Sequence, residues 1–173
     1  GELKGKSEVY TLFYDALAAG PKSAADLMQV ATAKPLGLGD LMQALSLMLN
    51  AGHISLFCPP ADRAPALALN RAIAIATAQG APYRFAIASN LGHVLTVSDV
   101  DLMFLAETFE QPQIAADALG AALTERLIAL GKGLTQNSQP LTKRDALMPY
   151  TQTLAATFLG STLPQWRELG ICD

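Results

Sequence analysis

Apolar residues at helical spacing predict three short helices at the start of the chain. The first covers residues 7–19, with apolar side chains on one face, and Gly20 ends it. Ser23 is a suitable cap for a second helix over residues 24–33. A third is predicted over residues 38–50, with a buried stripe formed by Leu41, Leu45, Met48 and Leu49.

The segment after the third helix has the pattern of a strand. Gly52 ends that helix, and the sequence HISLF at residues 53–57 alternates between polar and apolar positions. Pro59 follows and would stop a strand, because proline cannot donate a ladder hydrogen bond. Three helices and a strand predict a winged-helix-like unit over residues 1–62.

The middle of the chain predicts a connection between two units. Residues 63–97 contain an apolar helix over 66–79 and then two strands, 83–89 and 93–97, around the turn residues Asn90 and Gly92.

Residues 98–173 predict a second helical unit, which could itself be winged-helix-like. Ser98 is placed to cap its first helix, and Pro149 is expected to kink or restart its last long helix. Residues 133–141 are read as a polar loop. The predicted class is therefore mainly α with small β-hairpins (α+β), winged-helix-like, with two tandem units as one arrangement.

Charge argues against nucleic-acid binding. The chain has a net charge of −3, and no lysine or arginine lies between Lys34 and Arg63. The helix over 38–50, which would read DNA in a winged-helix protein, therefore cannot neutralise phosphates. Because 51% of the residues are hydrophobic and only 16% are charged, we expect a surface that another protein covers.

Residues capable of chemistry are few and scattered. The two histidines, His53 and His93, have no second ligand at metal spacing, and the two cysteines are far apart. No catalytic, cofactor-binding or metal-binding residue is predicted. Arg71 and Arg84 are the candidate contacts for an anionic ligand or an interface. With no signal peptide or apolar span, and without a disulfide framework, a cytoplasmic protein is expected.

Three segments together resemble a known family: LFYDALAAGPKSAADLM at 12–28, LNRAIAIATAQGAPYRFAIASNLGHVLTVSDVDLMFLAETF at 69–109, and QPLTKRDALMPYTQTLAATFLGSTLPQWRELGI at 139–171. In order and pattern they are similar to the C-terminal region of bacterial S-adenosylmethionine (SAM)-dependent methyltransferases of the protein lysine methyltransferase type, which carry a methyltransferase regulatory domain. The chain starts at Gly1 without a methionine, so we expect a fragment of a longer protein.

The resemblance implies a non-catalytic regulatory or substrate-recognition module. Its partners would be an upstream catalytic domain, which would bind SAM, and a protein substrate; no cofactor, DNA or membrane is expected for this chain, and a homodimer is one candidate assembly. The alternatives are a winged-helix transcription regulator and a dimeric protein-interaction adaptor.

Overall fold

A computed structural model describes residues 7–32 and 37–173, and the chain divides into two compact units, Gly1–Phe57 and Cys58–Asp173. The described residues are mainly helical, with two small antiparallel hairpins, so the predicted α+β class is confirmed. The residues 63–97, predicted as a connection, fall within the second unit.

The first unit contains helices α1 (Ser7–Ala18), α2 (Ala24–Thr32) and α3 (Leu38–Asn50). The predicted cap of α2 is present: the Ser23 hydroxyl accepts a hydrogen bond from the Asp26 N–H at 3.1 Å. The Asp26 carboxylate in turn accepts one from the Ser23 N–H at 3.0 Å. The hydrogen bond from the Ser23 hydroxyl is the main cause of the lowered pKa of Asp26, followed by the one from its backbone.

Fewer side chains of the predicted α3 stripe are buried in the core of the first unit than the pattern predicts. Phe13 and Met48 are completely buried, and they pack with Tyr10, Leu27, Leu41 and Ala44. The prediction that Leu49 is buried was wrong, because it is 38% exposed, and Leu45 is only partly buried. Ala44 takes the inner position instead, since it lies one turn from both Leu41 and Met48.

The strand predicted at residues 53–57 is absent. Gly52 has a φ of +75°, and the chain continues from it as a turn and then as irregular backbone. A strand needs a partner for its backbone groups, and no described residue supplies one here. In its described residues the first unit is therefore three helices without the predicted wing strand.

The second unit contains five α-helices, two hairpins and one π-helical turn. In chain order they are α4 (Ala64–Ala78), β1 (Phe85–Ala88), β2 (His93–Thr96), α5 (Asp99–Glu110), α6 (Ala116–Ala129), β3 (Leu134–Gln136), β4 (Gln139–Leu141), α7 (Arg144–Thr157), the π-helical turn Phe158–Thr162 and α8 (Leu163–Leu169). The predicted hairpin of β1 and β2 and the Ser98 cap of α5 are confirmed.

One expectation for the second unit was wrong, and one is narrowed to a single alternative. Residues 133–141 are not a loop, because β3 and β4 pair there as a second hairpin. Asn137 and Ser138 both have positive φ, 49° and 64°, which is the backbone of a tight two-residue turn. Pro149, which was expected to kink or restart the last long helix, lies within α7, and that helix continues to Thr157 without a restart.

Helices α6 and α7 pack at very close range. A Cβ on Gly120 would lie 2.6 Å from the Cα of Gln152, so only glycine allows this approach. Beside it, the buried hydroxyls of Thr124 and Thr151 share a hydrogen bond of 2.7 Å between the two helices. The two helices form one wall of the core of the second unit.

A fully buried asparagine joins α4 to β1 and to the C-terminal segment. The amide nitrogen of Asn70 donates to the carbonyl oxygens of Ile87 at 2.8 Å and Ile171 at 2.9 Å. Its amide oxygen accepts from the Ile87 N–H at 2.8 Å. Nearby, the Ser89 hydroxyl donates to the Gly170 carbonyl at 2.8 Å. These bonds hold the end of α8 beside α4, and the candidate site lies between those helices.

Candidate functional site

A cleft of about 410 Å³ lies in the second unit where α4, α5 and α8 meet. Most of its wall is apolar, from Leu67 and Ala68 on α4 to Leu163 and Ile171 near α8. Its size is within the range of small-ligand sites.

Arg71 is held at the wall of this cleft by an aromatic ring. Its guanidinium carbon lies 4.5 Å from the centre of the Phe109 ring, a cation–π contact. No carboxylate among the described residues lies within salt-bridge distance of Arg71. Arg71 is exposed, so its charge is solvated, oriented by Phe109 and available to an anion.

A second arginine completes the positive character of the cleft. Arg167 on α8 lines it, and its Nε donates to the main-chain oxygen of Asp173 at 2.8 Å. Asp173 also lines the cleft and contributes negative charge beside Arg167. Cys172 also lines the cleft; burial raises the pKa of its thiol to about 11, so the thiol is uncharged at neutral pH.

The structure separates the two arginines that the sequence singled out. Arg84 is not in the cleft: its side chain is 71% exposed and lies 3.5 Å from the Asp99 carboxylate. An ion pair of that exposure is largely screened by water. The candidate anion site therefore contains Arg71 without Arg84.

Comparison with models of protein families, with curated proteins and with solved structures finds no match. Within the part of the chain that the structure describes, no three His, Cys, Asp or Glu side chains come together as metal ligands would. Likewise, no helix among residues 7–32 and 37–173 is long and apolar enough to cross a membrane.

Helix α3, which the sequence predicted as the recognition helix of a winged-helix-like unit, has an apolar exposed face. Leu38, Met42 and Leu49 lie four and seven residues apart in turn, so they share one side of the helix. Leu38 is 59% and Met42 56% exposed, and Asp40 is the helix's one charged residue. A face of this kind suits contact with another protein better than contact with phosphates.

Sequence reasoning missed most of the cleft. Arg167 and Cys172 lie about 100 residues from Arg71, and the hydrogen bond of the C-terminal segment to Asn70 on α4 helps to bring them together. Phe109 ends an apolar run that looked like ordinary core. The one usable signal was Arg71 itself, a basic residue within a helix that is otherwise almost entirely apolar.

Proposed function

We propose that the chain is a non-catalytic binding module whose cleft takes up an anionic group attached to an apolar chain. The observation that carries the proposal is the guanidinium of Arg71, oriented over the Phe109 ring and without a carboxylate partner among the described residues. Arg167 adds a second cation, and the apolar walls would hold the remainder of the ligand.

The carboxylate of a protein segment with neighbouring apolar side chains has the required chemistry. Arginine binds carboxylates through paired N–H donors, and the aliphatic walls around Arg71 bury the adjoining groups. A free fatty acid would present the same combination of groups, so the binding experiment must separate these two sources.

In the wider context we propose a regulatory or substrate-recognition part of a SAM-dependent protein methyltransferase. The upstream catalytic domain would hold SAM, and the apolar exposed face of α3 is suited to contact that domain or a protein substrate. A cytoplasmic location suits the two free thiols, Cys58 and Cys172. The test is reconstitution: addition of this chain should raise methyl transfer by the separately produced catalytic domain.

The cleft itself can be tested by titration with octanoate and 1-octanol, which differ in the charged group. Trp166, the single tryptophan of the chain, precedes Arg167 on α8 and reports binding by fluorescence. Octanoate should bind at least about tenfold more tightly than 1-octanol, because only it can pair with the arginines. Equal affinity for the two would refute the anion site.

Two arginine variants provide the matched comparison. Arg71→Ala should weaken octanoate binding about tenfold, whereas Arg84→Ala, which removes an arginine outside the cleft, should leave it unchanged. An acetylated Ala-Leu-Leu peptide with a free carboxylate then separates the sources: tighter binding than octanoate indicates a protein ligand, and weaker binding indicates a fatty acid. If Arg71→Ala binds octanoate as tightly as the wild type and Arg84→Ala do, the proposal is wrong.

The transcription-regulator alternative makes the opposite prediction. A duplex DNA titration at low salt should show no salt-sensitive binding, because α3 has no cation to neutralise phosphates. Submicromolar binding that weakens with added salt would favour the regulator.

A further inference from the structure

A second cavity of the second unit is lined by an acidic residue, whereas the Arg71 cleft is lined by two arginines. It is open to solvent and has a volume of about 360 Å³ between the start of α5, the β3–β4 hairpin, α7 and the π-helical turn. No lysine, arginine or histidine lines it, and Asp101 is its one acidic residue. This cavity is separate from the Arg71 cleft and shares no lining residue with it.

Asp101 has no partner within the described residues. Its carboxylate forms no ion pair with them, and none of their hydrogen-bond donors reaches it. Burial raises its pKa, and the negative charge of Asp99 raises it further. Because a half-buried carboxylate without a partner costs free energy, a cation that entered the cavity would be stabilised there.

The first turn of α5 already has a cap and a second carboxylate besides Asp101. The start of α5 already has Ser98, whose hydroxyl accepts from the Val100 N–H at 3.1 Å. Asp99 adds a carboxylate there and forms the ion pair with Arg84 at the surface. Asp101 instead lines the cavity, where burial disfavours its charged form.

The remaining lining matches a small organic cation. Three lining residues, Tyr150, Thr135 and Thr162, carry hydroxyl groups that can accept hydrogen bonds, and Leu154 and Phe158 are apolar lining residues. An ammonium group is a donor with three N–H bonds, and its alkyl chain needs an apolar surface. Phe158 and Thr162 begin and end the π-helical turn, a backbone form that recurs at functional sites.

We propose that this cavity binds a primary alkylammonium group, with Asp101 as its counter-ion and the Tyr150 and threonine hydroxyls as acceptors. The inference does not depend on the function proposed for the Arg71 cleft. The chemistry is that of a lysine side chain or of a free small amine.

The first experiment is an NMR titration of the whole chain with butylammonium chloride and with 1-butanol. The two probes have similar size, and only the first carries a charge. Butylammonium should bind at least about tenfold more tightly, and the largest shifts should lie around residues lining the cavity. If 1-butanol binds equally well, the proposal is overturned.

Two neighbouring acids allow a matched pair of variants. Asp101→Asn should lower the affinity for butylammonium about tenfold, while Asp99→Asn, which lies outside the cavity lining, should change it less than about threefold. Asp101→Asn removes an unpaired charge, so it is expected to fold, which circular dichroism checks. Unchanged binding by Asp101→Asn would overturn the proposal.

The proton on Asp101 gives an independent readout. The titratable groups beside it are Asp99 on its own helix and Tyr150 from α7. Butylammonium should lower the pKa of Asp101, followed through its carboxyl carbon, and binding should weaken as the pH falls and that carboxylate is protonated. A pKa that does not move on addition of the amine would contradict the site.

The source of the ammonium group is then decided by comparing butylammonium with lysine blocked at both main-chain ends. Tighter binding of blocked lysine supports a protein side chain as the ligand, and tighter binding of butylammonium supports a free amine. If neither probe binds, the proposal fails.

Discussion

The side-chain nitrogen of Asn70 donates a hydrogen bond to the main-chain oxygen of Ile171, 101 residues further along the chain, at 2.9 Å. Asn70 is fully buried, and its other two hydrogen bonds join it to Ile87 on β1. One amide therefore joins a helix, a strand and the C-terminal segment. Buried hydrogen bonds of this kind specify a unique arrangement, because breaking them leaves polar groups without water.

Asn70→Asp should strongly destabilise the second unit. The new side chain has the same shape but no N–H donors, and its charge would face the Ile87 and Ile171 carbonyls. We expect a loss of about 3–5 kcal/mol in the free energy of unfolding. Urea unfolding followed by Trp166 fluorescence measures it, and Asn137→Asp on the exposed β3–β4 turn is the control, with a loss below about 1 kcal/mol.

Gly170→Ala should also destabilise, for a steric reason. Gly170 has a φ of +71°, and a Cβ there would overlap the Ser89 hydroxyl oxygen. The expected cost is about 2–4 kcal/mol, combining backbone strain and overlap. Gly160→Ala is the control, because a Cβ there meets no atom within 4 Å and should change stability by less than about 1 kcal/mol. Thermal melts of the two variants that coincide would contradict this account.

Two ion pairs of the second unit should differ sharply in their contribution to stability. Glu107 and Arg126 pair with side chains only 12% and 34% exposed, and Arg126 also donates to the Ala78 carbonyl at 3.2 Å. Glu107→Gln should cost about 2–4 kcal/mol, since it leaves a partly buried cation without its counter-ion. Glu125→Gln breaks the exposed pair with Arg144 and should cost less than about 1 kcal/mol. Equal urea midpoints for the two variants would rule out this distinction.

The buried thiol of Cys172 should make stability fall at alkaline pH. Its pKa is raised to about 11 in the folded chain by burial, from an ordinary value of 9.0. Between those values the unfolded chain loses this proton first, so unfolding becomes more favourable as the pH rises. The urea midpoint of the wild type should therefore fall more between pH 8 and pH 10.5 than that of Cys172→Ala. Cys58→Ala removes the exposed thiol and should keep the wild-type dependence.

Two similar segments show how far the sequence could predict the fold. HISLF at 53–57 and HVLTV at 93–97 both begin with histidine after a glycine, and both have a strand-like pattern. Only the second forms a strand, because residues 85–88 lie opposite it in the same hairpin. Local pattern predicted most of the helices and the first hairpin, whereas strand pairing depends on a partner that local pattern does not show.

The candidate site was less predictable than the fold. Arg71 was identified from sequence, but Phe109 lies 38 positions away and Arg167 lies on the last helix. Asp101 lies in the first turn of α5, an ordinary position for an acidic residue, and the cavity beside it needs β3 and the π-helical turn. A site assembled from distant elements depends on how those elements pack together, and the spacing of apolar residues along the sequence does not show this.

Asn70 also affects how the β1–β2 hairpin can associate. Its amide occupies both the N–H and the carbonyl of Ile87, which pairs with Val94 across the hairpin and stands mid-way along β1. That edge is closed to a further strand, whereas β2 has an exposed Val94 and no lysine or proline to block pairing. For chains to polymerise by pairing strand to strand into one continuous sheet, each molecule needs two open strand edges. Through this hairpin, two chains could pair once, but they could not polymerise.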